Sequence, residues 1–167
     1  LRLSFLASRG GNVSCPKRVQ DSQVETELLA FPADANTMGI VYGGKILYWV
    51  DMTASLVARK HCDGAVATLR VEFDFVRPVR VGDHVRLTGF VTRTFGRSFE
   101  VEVQVHASSS FGAEERLAGR GFLIFSCLDE SGRSRPAPPL SLESEEERAR
   151  WEAAGRRREL RESLGAP

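Results

Sequence analysis

The chain has 167 residues, 42% of them hydrophobic and 27% charged, with a formal net charge of +1. That length suits one ordinary domain, and no apolar run approaches the ~18 residues that a membrane-spanning helix needs. So balanced a charge argues against a nucleic-acid binder or a membrane-surface protein. Three cysteines (Cys15, Cys62, Cys127) are odd in number, widely separated and without zinc-ligand spacing. They read as free thiols in a reducing, cytoplasmic setting.

The first twenty residues, LRLSFLASRGGNVSCPKRVQ, hold four basic residues and no acidic one. That composition is weakly compatible with an organelle transit peptide. Gly10-Gly11, Pro16 and the lack of a sustained period make residues 1–20 read rather as a disordered extension. SQVETELLA (22–30) is expected to be the first strand. After a loop comes GGKILYWVDMTASLVARKH (43–61), the one convincing helix of the body. At 100° per residue, Ile46, Leu47, Val50, Ala54, Val57 and Ala58 form one apolar stripe, while Trp49, Met52 and Leu56 lie on the other side. A helix apolar nearly all round is expected to be buried nearly all round.

AVATLRVEFDFV (65–76) alternates strictly, with Ala65, Ala67, Leu69, Val71, Phe73 and Phe75 against Thr68, Arg70, Glu72 and Asp74. Period two of that length predicts a strand with one buried face. VRLTGFVTRTF (85–95) is looser, SFEVEVQVHA (98–107) repeats the alternation, and RLAGRGFLIFSCLD (116–129) is more continuously apolar. The short linkers 77–83 and 95–98 imply antiparallel neighbours. The expected architecture is α+β: one long helix wrapped by a curved antiparallel sheet of about five strands. The even-numbered strand charges and the helix's second apolar side then need cover, for which dimerisation is the simplest remedy.

Beyond the body (21–135), residues 136–167 form a Pro-rich linker and a charged tail. Residues 141–167 contain six arginines and seven glutamates. Such a run reads as a solvated helix held by i,i+4 pairs, with Trp151 and Leu160 as candidates to pin it.

Two oddities coincide on the body helix. Gly43-Gly44 open it, and Asp51 sits two turns in, at the edge of the apolar stripe. The first amides of a helix lack intrahelical partners and lie at the positive end of its dipole. Glycine there lets a carbonyl oxygen approach, so an amide at Gly43 or Gly44 could stabilise an oxyanion. Asp51 could serve as base toward a water or as nucleophile, and Asn36 could orient that water or the carbonyl. Each residue alone also has an ordinary reading: a rim carboxylate, a turn and a loop amide. Together they suggest a small-molecule site at a helix N-terminus, suited to acyl transfer. Metal catalysis finds no support, because His61, His84 and His106 are dispersed and read as packing or surface residues.

The ordered set DANTMG, VYGGKILYWVD, ARKH, VATLRVEFDFVRPVRVGD and GRSFEVEV resembles the acyl-CoA thioesterase branch of the hotdog superfamily over residues 20–135. The resemblance implies a hotdog fold and hydrolysis of a fatty acyl-CoA thioester to free acid and coenzyme A. No cofactor is implied, since coenzyme A is part of the substrate. Asp51 matches the family's catalytic carboxylate, Asn36 its partner asparagine from the other protomer, and Gly44 the amide facing the thioester carbonyl. Gly43 lies beside it. Arg97 and Ser98 match a turn placed near the coenzyme A phosphates or pantetheine, and Thr68 and Val71 would line the pantetheine channel. A homodimer would be the smallest active unit and a trimer of dimers the assembly, without nucleic-acid or membrane partners. Phe99 stands where the family usually has a second serine. Tyr48 and Trp49 are bulky and would either shorten the acyl tunnel or pack at the subunit interface.

Three other readings compete. A hotdog dehydratase would want a histidine in residues 31–42, which hold none. A non-catalytic acyl-CoA-binding module would need neither Asp51 nor Asn36. A purely structural domain leaves the Gly-Gly helix entry unexplained.

Overall fold

Every period-two stretch forms a strand, and the body's helical stretch forms a helix. The computed structural model describes residues 15–110 and 112–165. Its elements are β1 (Lys17–Arg18), α1 (Val19–Ser22), β2 (Val24–Leu29), α2 (Gly43–Cys62), β3 (Val66–Phe75), β4 (His84–Phe95), β5 (Ser98–Ser108), β6 (Arg116–Leu128), β7 (Ser134–Arg135), β8 (Leu140–Ser141) and α3 (Glu145–Ser163). The main sheet runs β2-β4-β5-β6-β3, antiparallel throughout, with β7 added at the end of β6. It curls around α2, the hotdog architecture that the resemblance implies.

The core lies between α2 and the concave face of the sheet. Val50, Ala54, Val57 and Ala58 meet Leu87, Val101, Val103, Leu123 and Phe125, all essentially without solvent contact. A Cβ at Gly89 would stand 2.9 Å from Val57 Cγ2, so the missing side chain sets how closely the helix approaches β4.

Five expectations need correction. The linker 77–83 does not join neighbours: β3 pairs with β6 at the far edge of the sheet, while β4 pairs with β2 and β5. The linker crosses the sheet end because Val79 is fully buried and its carbonyl accepts from Val41 N at 2.9 Å. Of these two linkers, the 95–98 turn does make a hairpin, with Gly96 at φ +78°.

The second correction concerns β3. A bulge at Leu69 interrupts its pairing with β6: Thr68 faces Phe125, yet Arg70 faces Ile124. Partners across a ladder share a face. Thr68 therefore joins Val71 and Phe73 on the helix-facing side, and Ala67 and Leu69 leave it. An extra residue in one strand inverts the parity before it.

The third concerns the tail, which is not a solvated rod. α3 lies across the convex face of the sheet. Arg93 stacks on Trp151 at 3.5 Å, Arg157 on Phe122 at 3.8 Å and Arg150 on Phe90 at 4.3 Å. Glu100, fully buried, accepts from Thr92 Oγ1 at 2.7 Å, Arg157 Nη2 at 2.6 Å and Arg161 Nη2 at 3.0 Å. Arg161 also makes a two-pronged contact with Glu72. Glu72 of β3 and Glu100 and Glu102 of β5 thus find partners inside the chain, while Asp74 stays exposed. Trp151 does pin the tail, whereas Leu160 stays exposed.

Fourth, Cys62 and Cys127 are joined in a disulfide with Cα atoms 5.8 Å apart, and only Cys15 is a free thiol among the described residues. Separation along the sequence hid this, because pairing of Val66 with Cys127 returns β6 to the end of α2. Fifth, residues 17–20 of the expected extension are folded. β1 pairs in parallel with β8, and Val19 is buried. Residues 1–14 lie outside the described residues.

Two predictions follow from this packing. Glu100→Leu strands Arg157 on a covered face, so chemical denaturation is expected to register a loss of about 3 kcal/mol. A loss below about 1 kcal/mol would mean that stacking alone holds α3. His61 is fully buried, with Nδ1 3.1 Å from Ser22 Oγ and Nε2 2.9 Å from the Pro138 carbonyl. Burial pushes its pKa down to about 4 from 6.5. The unfolded chain binds this proton first, so the contribution is complete above pH 6.5 and falls away as pH drops toward 4, by about 3 kcal/mol in all. His61→Gln should flatten that slope in denaturation measured between pH 7.5 and 4.5; equal slopes would overturn the assignment.

Candidate active site

The N-terminus of α2 is uncapped. Its N-cap residue, Tyr42, has no side-chain acceptor for the first amides, and the first intrahelical bonds run from Lys45 and Ile46 to the Tyr42 carbonyl. The N–H groups of Gly43 and Gly44 have no acceptor among the described residues. They stand at the positive end of a 20-residue helix, where a developing negative charge is stabilised.

The two glycines serve different needs. A Cβ at Gly43 would sit 3.1 Å from Phe75 Cζ, so this glycine makes room for a ring of β3. A Cβ at Gly44 would meet nothing within 4 Å. Gly44 thus leaves open space beside an unused amide. A shallow groove of about 310 Å³ borders the helix start, lined by Ile40, Val41, Gly43 and Phe75 to Pro78.

Asn36 lies in the loop that feeds the helix. Its Oδ1 accepts from Met38 N at 2.9 Å and Ile40 N at 3.1 Å. Two backbone donors fix the amide orientation and occupy its oxygen, so Nδ2 is the group turned to other work, as a donor only. The loop itself is anchored to the 79–81 turn by Val41 N to Val79 O and Val81 N to Gly39 O. Asp83 ties that turn, accepting from Arg80 N and pairing with Arg116.

Asp51 is half-buried and makes no hydrogen bond or ion pair among the described residues. Beside it, Tyr48, Met52 and Leu56 are 57%, 49% and 48% exposed. The second apolar side of α2 is therefore bare in the single chain, contrary to burial nearly all round. Phe31, Met38 and Tyr42 of the Asn36 loop are likewise exposed. Gly44 and Asp51 are about 10 Å apart along the axis at 1.5 Å per residue.

Thr68 and Val71 share the helix-facing side of β3, brought together by the bulge. Ser98 lines a groove of about 310 Å³ with Leu69, Arg70, Phe95 and Arg158. Arg97 turns away from it and donates to the Ser134 carbonyl at 2.7 Å. Arg70 and Arg158 had no place in the sequence reading of this region. Only the contrast between arginines on the tail and glutamates on β3 and β5 could have pointed to α3. No group of three or more metal-binding side chains occurs among the described residues.

A model of the thioesterase superfamily matches residues 38–110. An uncharacterized acyl-CoA thioester hydrolase of Bacillus subtilis is 34% identical over 77% of this chain and 75% of its own length. The chain belongs to the hotdog-fold acyl-CoA thioesterase family. Among solved structures, an apo-hexameric acyl-CoA thioesterase superposes on this thioesterase with a TM-score of 0.87 at 36% identity, covering 92% of this chain and 99% of that one. An acyl-CoA hydrolase from Staphylococcus aureus, solved with butyryl coenzyme A, coenzyme A and coenzyme A disulfide, gives 0.83 at 28% identity over 89% and 91%. Alanine variants of that hydrolase at an aspartate, a threonine and an asparagine have also been solved. The human cytosolic acyl coenzyme A thioester hydrolase is 32% identical over 82% of this chain, which spans 37% of its length.

The two glycines should separate on substitution. Gly43→Ala is expected to lower the thermal midpoint by crowding Phe75. Gly44→Ala should leave folding intact, since nothing meets the new methyl and alanine suits a helix better. Thioester hydrolysis should nonetheless fall, because the methyl occupies the space a carbonyl needs. Full activity in Gly44→Ala would remove this amide from the site.

Proposed function

We propose that the protein hydrolyses acyl-CoA thioesters, fatty acyl-CoA included, to the free acid and coenzyme A, in a site shared between two copies of the chain. The observation that carries this reading is the coincidence of two unused helix-start amides, a donor-only Asn36 and an unpaired Asp51 in one thioesterase fold. One protomer supplies the Gly44 N–H and Asn36 Nδ2–H to the thioester carbonyl oxygen. The partner supplies the Asp51 carboxylate, which takes a proton from water as the water attacks the carbonyl carbon. The tetrahedral oxyanion is held by the two donors. Collapse breaks the C–S bond, and coenzyme A leaves as thiolate and takes up the proton.

The shared site draws support from the surface. The Asn36 loop and the Asp51 side of α2 both present bare aromatic and aliphatic side chains. A two-fold dimer sets such patches against each other twice, and so brings each Asn36 loop to the other copy's helix. The hexameric relative supports a trimer of such dimers as the assembly. The positions replaced in the Staphylococcus aureus hydrolase stand at the same intervals along its chain as Asn36, Asp51 and Thr68 do here. Thr68 and Val71, side by side behind the bulge, suit the pantetheine arm. Gly43 at the helix start and the turn at Arg97 and Ser98 complete the proposed substrate contacts. The turn does so through Ser98 and through an Arg97 side chain that would first have to leave the Ser134 carbonyl. Cytoplasmic residence is proposed on the cytosolic naming of the human relative alone, because the Cys62–Cys127 disulfide removes the free-thiol argument for it.

A thiol-release assay across acyl-CoA chain lengths tests the reading. Asp51→Asn is expected to lower kcat by at least about 100-fold. Asn36→Asp keeps the acceptor that Met38 and Ile40 use but removes the donor, so it should be inactive with an unchanged melting temperature. Native-like rates in both would refute the mechanism, and binding without cleavage by the native chain would favour the acyl-CoA-binding module. A single turnover in 18O-water should place the label in the acid; label in Asp51 would make the carboxylate a nucleophile.

A further inference from the structure

The Asn36 loop has two limbs. The Ile40–Val41 limb is tied to the sheet through Val79 and Arg80. The Phe31–Ala35 limb is bridged to that limb by backbone, with Ala35 opposite Val41, Asn36 N donating to the Ile40 carbonyl at 2.9 Å and Tyr42 N to the Asp34 carbonyl at 3.0 Å. Its side-chain tie to α2 is Asp34. The Asp34 carboxylate pairs with Lys45 Nζ at 2.9 Å, with 13% of the aspartate side chain exposed. The same carboxylate accepts from Phe31 N at 3.2 Å, closing the 3-10 turn Pro32–Asp34. The Lys45 contact holds the Asp34 carboxyl below the usual carboxylate range.

Lys45 stands in the first turn of α2, where the helix dipole disfavours a cation. The ammonium also lies 5.6 Å from the Tyr48 ring centroid and 5.7 Å from that of Trp49. Among the described residues, no other α2 side chain makes a hydrogen bond or ion pair to residues 31–42. A cation placed against the helix dipole and braced by two rings is better explained by what it holds than by helix stability.

We infer that Lys45 is a positioning residue: through Asp34 it fixes the distance between Asn36 and the free amides of Gly43 and Gly44. The inference rests on the function proposed above, since it assigns Lys45 to the half-site that one protomer contributes. The Asn36 donor and the Gly44 amide must converge on one oxygen, and a misplacement of about 1 Å costs on the order of 100-fold in rate. Tyr48 and Trp49 then act as the seat of the ammonium, which explains their bulk early in the helix.

The test uses the full chain and the acyl-CoA that the native protein cleaves fastest. Lys45→Met and Asp34→Asn are each expected to lower kcat about 10- to 100-fold, with KM within about threefold. The double variant should be no slower than the slower single variant, because both remove one link. Lys45→Arg should restore kcat to within about threefold. If Lys45→Met keeps native kcat while Asn36→Asp is inactive, the positioning role falls and the proposed function stands. If Asp34→Asn is fast while Lys45→Met is slow, the charge acts directly on the reaction and positioning is again overturned. If Asn36→Asp matches the native enzyme, the proposed function fails and this inference with it. Should Lys45→Met fail to fold, Asp34→Asn and Lys45→Arg carry the same comparison.

Discussion

The first amides of α2 have no protein acceptor among the described residues, and the rest of this structure keeps that helix start open. Tyr42 offers no cap, Gly43 yields its space to Phe75, and Gly44 leaves its own space empty. Burial of Val50, Ala54, Val57 and Ala58 against the sheet stabilises the helix without a cap. The helix is stable because of its side, which frees its end for chemistry.

The convex face follows a different logic. Glutamates on an exposed sheet face would normally be solvated, yet Glu100 is completely buried and Glu102 nearly so. Arginines of α3 supply countercharge to Glu100 and cover to the face, their stems and planar heads lying on Phe90, Phe95 and Phe122, while Arg120 of β6 pairs with Glu102. Buried ion pairs add little net stability, but they reject alternative registers because any slip strands a charge. α3 is thus addressed to one place on the sheet. Among the described residues, the Tyr48, Met52 and Leu56 side of α2 has no such cover.

Local pattern was legible in the sequence to within a residue or two at the ends of β2, α2, β3, β4, β5 and β6, because alternation and helical spacing report directly on burial; β1, α1, β7 and β8 are too short to carry either period. Long-range choices were not. Nothing in 77–83 says that β3 goes to β6, since a short linker can either turn back or cross a sheet end. Alternation in 65–76 is unbroken on paper, so the bulge at Leu69 is invisible until β6 imposes its register. The same holds for Cys62 and Cys127, separated by 65 positions and joined in space. At the site, Gly43, Gly44 and Asp51 stood out because each breaks a local preference, and Asn36 through its spacing from them. Lys45 is also a local misfit, a cation in a first helical turn, but its reason shows only once Asp34 is placed beside it. Arg158 did not stand out, being an ordinary choice on a helix surface.

The disulfide has a mechanical consequence. Twenty residues of α2 make a beam about 30 Å long. One end is welded to β6 through Cys62, while the other rests on polar contacts with Asp34 and on the Phe75 ring. The thioester would therefore be gripped at the end of α2 that no covalent bond ties to the sheet, and its placement there depends on side-chain packing and on the Lys45–Asp34 pair.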